Sequence, residues 1–291
     1  LARCFGVRGD LLVGALGRRS ATLEGVGDWR AANEGNELEA LTSAGLLGRS
    51  TSISPMLPEL MRMEYIGHVS RGGSKVNMAD FVIPETPRRL DIPVILLIGT
   101  SMSSGKTTAG QVIIRALKYM DLEVVAAKLT GAARYRDILT FRDAGARSVY
   151  DFVDAGLPST VCSEQRYRTA LELLLSKIAA SEARVLVAEA GASPLEPYNG
   201  ATVVEYLSDL TRFTVLCASD PYAVLGVQTA YGNGLKADLV SGPAANTTAA
   251  ARLVRELCGH PSLNLLDRRN YPQLTEMLKD ALGLTSGERA A

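Results

Sequence analysis

The sequence predicts an α/β protein, a doubly wound and mainly parallel sheet preceded by a small β-rich module. Three observations carry that expectation. From Asp91 onward, continuous apolar runs alternate with segments whose apolar residues recur at spacings of three and four, as strands buried on both faces and their covering helices require. The first of these runs leads into a loop of glycine and serine and then into an amphipathic segment. Before about residue 86 the apolar runs are short and separated by turn-forming pairs, which is a hairpin pattern instead.

The first module, residues 1–86, has apolar runs at Leu11–Leu16, Met63–Val69 and Val76–Ile83, with turns at Arg8-Gly9-Asp10 and Gly72-Gly73. One helix is expected near Glu37–Ala44. The boundary falls within Ile83–Arg88, because Pro84 and Pro87 can continue neither a ladder nor a helix. The second domain, residues 87–291, then offers buried strands at 93–98, 122–127, 184–188, 213–218, 237–241 and 263–266. Between them, Ala109, Val112, Ile113, Ala116, Leu117 and Met120 form one helical stripe, and Leu171, Leu174, Leu175 and Ile178 another. Ser219-Asp220-Pro221-Tyr222 reads as an N-cap with proline in the first turn, and Asn246 as the N-cap of a helix carrying Leu253, Val254 and Leu257.

Composition excludes several classes. Lys plus Arg and Asp plus Glu both number 31, so no net field draws the chain toward nucleic acid or anionic lipid. The cysteines, Cys4, Cys162, Cys217 and Cys258, lie far apart, and with two histidines in the chain a zinc cage is not expected. Cys217 and Cys258 sit in apolar patterns and read as core, which fits a reduced, cytoplasmic setting. No apolar stretch is long enough to span a bilayer, and the opening Leu1–Phe5 lacks the apolar core of a signal peptide.

The chemistry centres on Gly99-Thr100-Ser101-Met102-Ser103-Ser104-Gly105-Lys106-Thr107-Thr108, set between an apolar strand and a helix. That context makes it a P-loop. The unpaired amides at the helix start and the helix dipole favour phosphate there. Gly99, Ser103, Ser104, Gly105, Lys106, Thr107 and Thr108 are the expected nucleotide contacts, with Lys106 on terminal phosphate oxygens and the Thr107 hydroxyl on Mg²⁺. Five residues stand between the two glycines, one more than the standard four.

Gly-Thr, four residues, then Gly-Lys-Thr resembles the P-loop of dethiobiotin synthetase and of the related amidotransferases and ligases of cobyrinic acid synthesis. The resemblance implies a P-loop NTPase fold, ATP and Mg²⁺ as cofactors, phosphate transfer to a small metabolite or activation of its carboxylate, and a homodimer.

Ligands of an open α/β sheet sit at the carboxyl ends of its strands. One strand ends in Lys128-Leu129-Thr130-Gly131, which resembles the segment that dethiobiotin synthetase sets beside substrate and transferred phosphate. Arg134 and Arg136 follow in a loop and suit phosphate or carboxylate clamping, or simply a surface. Another strand ends in Glu189, which has the form of a Walker-B acid with Glu in place of Asp and is the second expected metal ligand. Glu189-Ala190-Gly191-Ala192 resembles the Glu-Gly-Ala-Gly-Gly segment of the same group, with alanines for part of the glycine run. Pro194–Gly200 reads as a rigid substrate wall. Asp143, Asp151 and Asp154 read either as helix caps or, as the resemblance implies for one of them, as a further metal ligand. Asn246 either caps its helix or meets an adenine edge.

Residues 90–270 also resemble the D-glutamate N-acetyltransferase family in the P-loop, the Glu189 segment with its Ser-Pro-Leu loop, and Asn246-Thr247. Three readings follow. The first is an ATP- and Mg²⁺-dependent transferase or ligase acting on a small anionic metabolite, with Lys106, Lys128 and Arg136 neutralising developing charge and Glu189 positioning the ion or activating the nucleophile. The second is a CoA-dependent N-acyltransferase whose P-loop holds CoA phosphates. The third is a regulatory nucleotide switch with the β-rich module as partner surface. No nucleic-acid or membrane partner is expected.

Overall fold

The computed structural model describes residues 7–32, 36–231 and 236–284 of the chain; Cys4 lies outside them. The N-terminal module is a six-stranded sheet of β1 (Ala15–Leu16), β2 (Arg18–Ala21), β3 (Gly25–Asp28), β4 (Glu37–Ala40), β5 (Leu46–Ile53) and β6 (Arg62–Glu64). Its main order is β2-β3-β5-β4-β6, antiparallel throughout, with β1 added parallel to β5. A separate hairpin joins β7 (Ser70–Arg71) to β8 (Ser74–Lys75).

The helix expected at Glu37–Ala44 is instead β4 and a tight turn. Leu38 and Leu41 are buried on either side of half-buried neighbours, and Gly45 takes φ +82°, which reverses the chain before a helix can complete two turns. The run Val76–Ile83 is likewise not a strand. Met78–Phe81 form a 3-10 turn, because Asn77 and Asp80 close a reciprocal capping box around it.

Residues 82–93 carry no strand or helix. Beyond them lie β9 (Val94–Gly99), α1 (Lys106–Tyr119), β10 (Val124–Thr130), α2 (Tyr135–Asp143), β11 (Ser148–Asp151), α3 (Glu164–Ala179), β12 (Val185–Ala190), α4 (Gly200–Tyr206), β13 (Thr211–Cys217), α5 (Pro221–Tyr231), β14 (Leu239–Ser241), α6 (Thr248–Cys258) and α7 (Tyr271–Leu282). The strands form one parallel sheet in the order β11-β10-β12-β9-β13-β14. Every residue of β9, β10 and β12 is buried, as an apolar run covered on both faces must be. Leu96, Ile98, Leu186 and Ala188 share one core with α3, α4, α5 and α6 through Leu174, Val203, Val224 and Val254. Ile95, Leu97, Val124 and Val187 face the other way, onto α1, α2 and α7 through Ile113, Phe141 and Leu274. The sheet is therefore doubly wound, as the sequence predicts.

Two sheet elements differ from expectation. β11 was not expected, because Val149 and Tyr150 alone carry its apolar character and both are only half buried at the sheet edge. The run 263–266 is not a strand. Ser262 makes one bridge to Val240, after which the Asn264 side chain accepts from the Leu266 amide and ends the pairing. Leu263 and Leu265 are still buried, from a loop.

Candidate functional site

β9 delivers the chain into the loop at Gly99, and the loop closes at Gly105 with φ +99°, where α1 begins. Ser103 also takes a left-handed φ of +61°. These two reversals fold the loop back on itself between β9 and α1. The Thr100 amide is held by the Cys217 carbonyl at 3.0 Å and the Ala109 amide by Gly105 at 2.9 Å. Among the described residues, the amides of Gly105, Lys106, Thr107 and Thr108 between them find no protein acceptor. Donors left over at a helix start, with the helix dipole behind them, form a cup for an anion.

Gly99 leaves room for side chains of the loop itself. A Cβ there would lie 2.5 Å from Ser104 Oγ and 2.6 Å from Lys106 Nζ. The Lys106 side chain occupies that space, folding back over its own loop to donate to the Ser101 carbonyl at 2.7 Å and to Ser104 Oγ at 3.3 Å. Burial pulls its pKa below the ordinary lysine value, against the attraction of Glu189.

Glu189 stands at the end of β12, the strand beside β9. The Thr107 hydroxyl donates to its carboxylate at 3.0 Å. The two expected metal ligands, one on the first turn of α1 and one on the sheet, are thus in contact.

Lys128 lies two residues before the end of β10, which is on the far side of β12 from the P-loop strand. The register sets Lys128 level with Glu189 on one side and with Asp151 of β11 on the other. Register partners in a parallel sheet point to the same face, so Asp151, Lys128 and Glu189 form a row of alternating charge across three strands. Asp137, on the first turn of α2, closes on the buried Lys128 as a part-buried ion pair. Burial alone would lower the Lys128 pKa, but Glu189, Asp137 and Asp151 outweigh it and raise the value, so the ammonium is held charged. Asp151 itself is buried and pushed up to about 7, chiefly by desolvation.

Asp137 and Asp151 are the site residues that sequence reading missed or left open. Asp137 was visible only as the acid after Arg136, and the role of Asp151 depends on a strand too short to recognise. Asp151 does cap the following 3-10 turn, with Asp154 completing the box. Asp143 closes α2, away from this row.

Arg136 occupies the first turn of α2, exposed and without an ion pair among the described residues. Asn246 is not the N-cap of α6. Thr247 holds that position and its Oγ1 accepts from the Ala250 amide at 3.1 Å, because Asn246 still belongs to the 3-10 turn Pro243–Ala245 with helical dihedrals. Asp220 does cap α5, accepting from the Tyr222 and Ala223 amides. The residue before Pro243 matters more to the loop. A Cβ on Gly242 would lie 2.3 Å from the Ser104 carbonyl, so β14 ends in direct backbone contact with the P-loop.

The N-terminal module docks beside this cup. The tip of the β2–β3 hairpin places Glu24 Oε1 at 2.8 Å from the Ser103 hydroxyl, which donates to it. The loop after Glu189 meets the same hairpin: the Thr22 amide donates to Glu196 at 3.0 Å and the Ser20 amide to the buried Tyr198 hydroxyl at 2.7 Å. Leu41 and Leu46 pack there with Ala132, Val161, Ala192 and Tyr198.

No protein-family model and no curated protein matches the chain. Among solved structures it is similar to HypB from Helicobacter pylori in complex with nickel, at 15% identity and TM-score 0.41 over 69% of this chain and 91% of that one. It is similar to chloroplast FtsY from Physcomitrella patens at 14% identity and TM-score 0.41, over 70% of each chain. A ParA family ATPase from Chlorobium tepidum matches at 13% identity and TM-score 0.38, over 68% of this chain and 95% of that one. The chain's own strand order, its Gly99–Gly105 loop and Glu189 on the neighbouring strand give it the α/β architecture of a P-loop protein.

Proposed function

We propose that the chain is an ATP- and Mg²⁺-dependent enzyme that transfers phosphate to, or activates the carboxylate of, a small anionic metabolite, in the manner of the dethiobiotin synthetase group. The observation that supports this most is the 3.0 Å hydrogen bond from Thr107 to Glu189, formed beside four unpaired amides and between two buried lysines. A hydroxyl and a carboxylate are the hard oxygen donors that Mg²⁺ takes, together with phosphate oxygens. When bound, Mg²⁺ would neutralise phosphate charge and fix the phosphate geometry.

The residues then divide the work. The amides of Gly105–Thr108 would hold the phosphates, and Lys106 would leave its carbonyl partner for a terminal phosphate oxygen, whose charge favours the ammonium form that burial disfavours. Lys128 lies one strand beyond Glu189, so it would meet the acceptor or the group in transit. Asp137 would hold that ammonium in place through the transfer.

Thermal-shift measurements with ATP, GTP and acetyl-CoA, each with and without Mg²⁺, test this reading. Stabilisation by ATP that grows with Mg²⁺ is expected. Stabilisation by acetyl-CoA alone would select acyl transfer and refute it. The contact of Glu24 with Ser103 favours a second reading, a nucleotide switch read out by the N-terminal module. Nucleotide-dependent hydrogen exchange at Ser20–Glu24, with no turnover of any metabolite, would select that one.

A further inference from the structure

Arg19 is a cation that the site described above does not use. It is carried by β2, its side chain is 13% exposed, and it is ion-paired with Glu24. Its Nη1 donates to the Leu41 carbonyl at 2.9 Å, which anchors the guanidinium to its own module. Its Nε is buried with no hydrogen-bond partner. The other oxygen of Glu24 accepts from Ser103 in the P-loop. A single carboxylate therefore separates Arg19 from the phosphate cup.

A guanidinium binds phosphate best through two parallel N–H groups in one plane. Nε and Nη2 form such an edge in Arg19. Here one of the two is spent on Glu24 and the other on nothing, although an unmet buried donor is costly. Glu24 is also a poor neighbour for a filled P-loop. A carboxylate hydrogen-bonded to Ser103 would face phosphate oxygens of the same sign bound at the loop. Repulsion acts on Glu24, and its departure would free Nη2 beside the unmet Nε, one carboxylate away from Ser103.

We propose that Arg19 is a third phosphate-binding cation, supplied to the P-loop by the N-terminal module and held in reserve by Glu24. Triphosphate binding displaces Glu24 from Ser103 and brings the Nε/Nη2 edge onto the terminal phosphate. The inference rests on the nucleotide-binding reading above and adds to it: the module completes the phosphate site rather than only packing against it.

The test compares Mg-ATP and Mg-ADP binding by titration calorimetry in the full chain and in Arg19→Ala, Glu24→Gln and Tyr198→Phe. Arg19→Ala is expected to weaken Mg-ATP at least tenfold more than Mg-ADP, and Glu24→Gln to tighten Mg-ATP several-fold. Tyr198→Phe loosens the same interface by removing the acceptor of the Ser20 amide and should leave the ATP-to-ADP ratio unchanged. An unchanged ratio in Arg19→Ala, or the same change in Tyr198→Phe, overturns the assignment while leaving nucleotide binding intact. Should Arg19→Ala not fold, Glu24→Gln decides alone, and unchanged or weaker Mg-ATP binding counts against it. A wild-type chain that binds neither nucleotide removes both readings.

Discussion

The Thr107 hydroxyl donates to the Glu189 carboxylate at 3.0 Å, tying the first turn of α1 to the end of β12 across 82 positions of sequence. Glutamine at 189 keeps an acceptor for that hydroxyl and removes the charge, so Glu189→Gln separates scaffold from ion binding. Nucleotide affinity without Mg²⁺ should stay within a few-fold of wild type. The added affinity that Mg²⁺ gives should disappear, and turnover should fall by about 100-fold or more, as for loss of a group acting on the transition state. Calorimetric titration with and without the ion, beside a steady-state assay, reads both effects.

Lys106 is buried with its charge disfavoured by desolvation. Replacing it by methionine removes a cost to the fold while removing the phosphate's cation. Lys106→Met should therefore melt no lower than wild type and lose at least about 100-fold in ATP affinity, some 2.7 kcal/mol. Unchanged ATP affinity in a folded variant contradicts the proposed site.

Lys128 behaves differently because its partners outnumber it. Lys128→Met would leave Asp137, Asp151 and Glu189 facing one another, all but Asp137 fully buried. A destabilisation of about 3–5 kcal/mol is expected, as for a broken buried pair. Asp137→Asn on that background should recover part of it, and urea unfolding of the four members of the cycle measures the coupling. Additive effects would mean that the ion pair is not formed in solution.

Much of this site is legible along the chain, and the reason is local. Gly99–Thr108 and Glu189 announce themselves because each follows an apolar strand directly, and strand ends are where an α/β sheet puts its ligands. The hidden part is lateral. The row Asp151, Lys128, Glu189 exists only through register among β11, β10 and β12, and β11 is a four-residue edge strand with little apolar signal. The same holds for β4, where Leu38 and Leu41 fit a helical spacing but the turn at Gly45 decides against it. Asn246 fails as a cap because a 3-10 turn consumes one more residue than its sequence suggests. Arg19 and Glu24 could not be found from sequence, since nothing in the first module marks which hairpin tip touches the loop.

Gly242 offers a test of the loop's rear wall. It takes φ +83°, and a Cβ there would meet the Ser104 carbonyl at 2.3 Å and Ala218 backbone at 3.1 Å. Neither obstacle is a side chain that can move aside. Gly242→Ala should displace the P-loop and weaken nucleotide binding at least tenfold, with a loss of stability of about 1–3 kcal/mol from strain. Wild-type affinity in this variant would mean that β14 and the loop are not in contact.

Asp151 supplies a pH dependence whose sign is fixed by burial. Desolvation raises its pKa from 3.8 to about 7, with Asp154 and Asp137 acting in the same sense, while Lys128 and the Val153 amide oppose them. An acid with a raised folded pKa keeps its proton longer in the folded chain than in the unfolded one. The protonated carboxyl therefore contributes its full stability below about pH 4, and that contribution declines as pH rises toward 7. Asp151→Asn retains an acceptor for the Val153 amide and carries no proton to lose. The stability of wild type relative to Asp151→Asn should thus decrease between pH 4.5 and 7, by up to about 1.4 kcal/mol per pH unit, and flatten above that. Urea unfolding across that range measures the difference directly. A difference that grows with pH would mean that Asp151 is ionised in the folded chain and held by Lys128, in which case the charge row is a stabilising network and not a strained one.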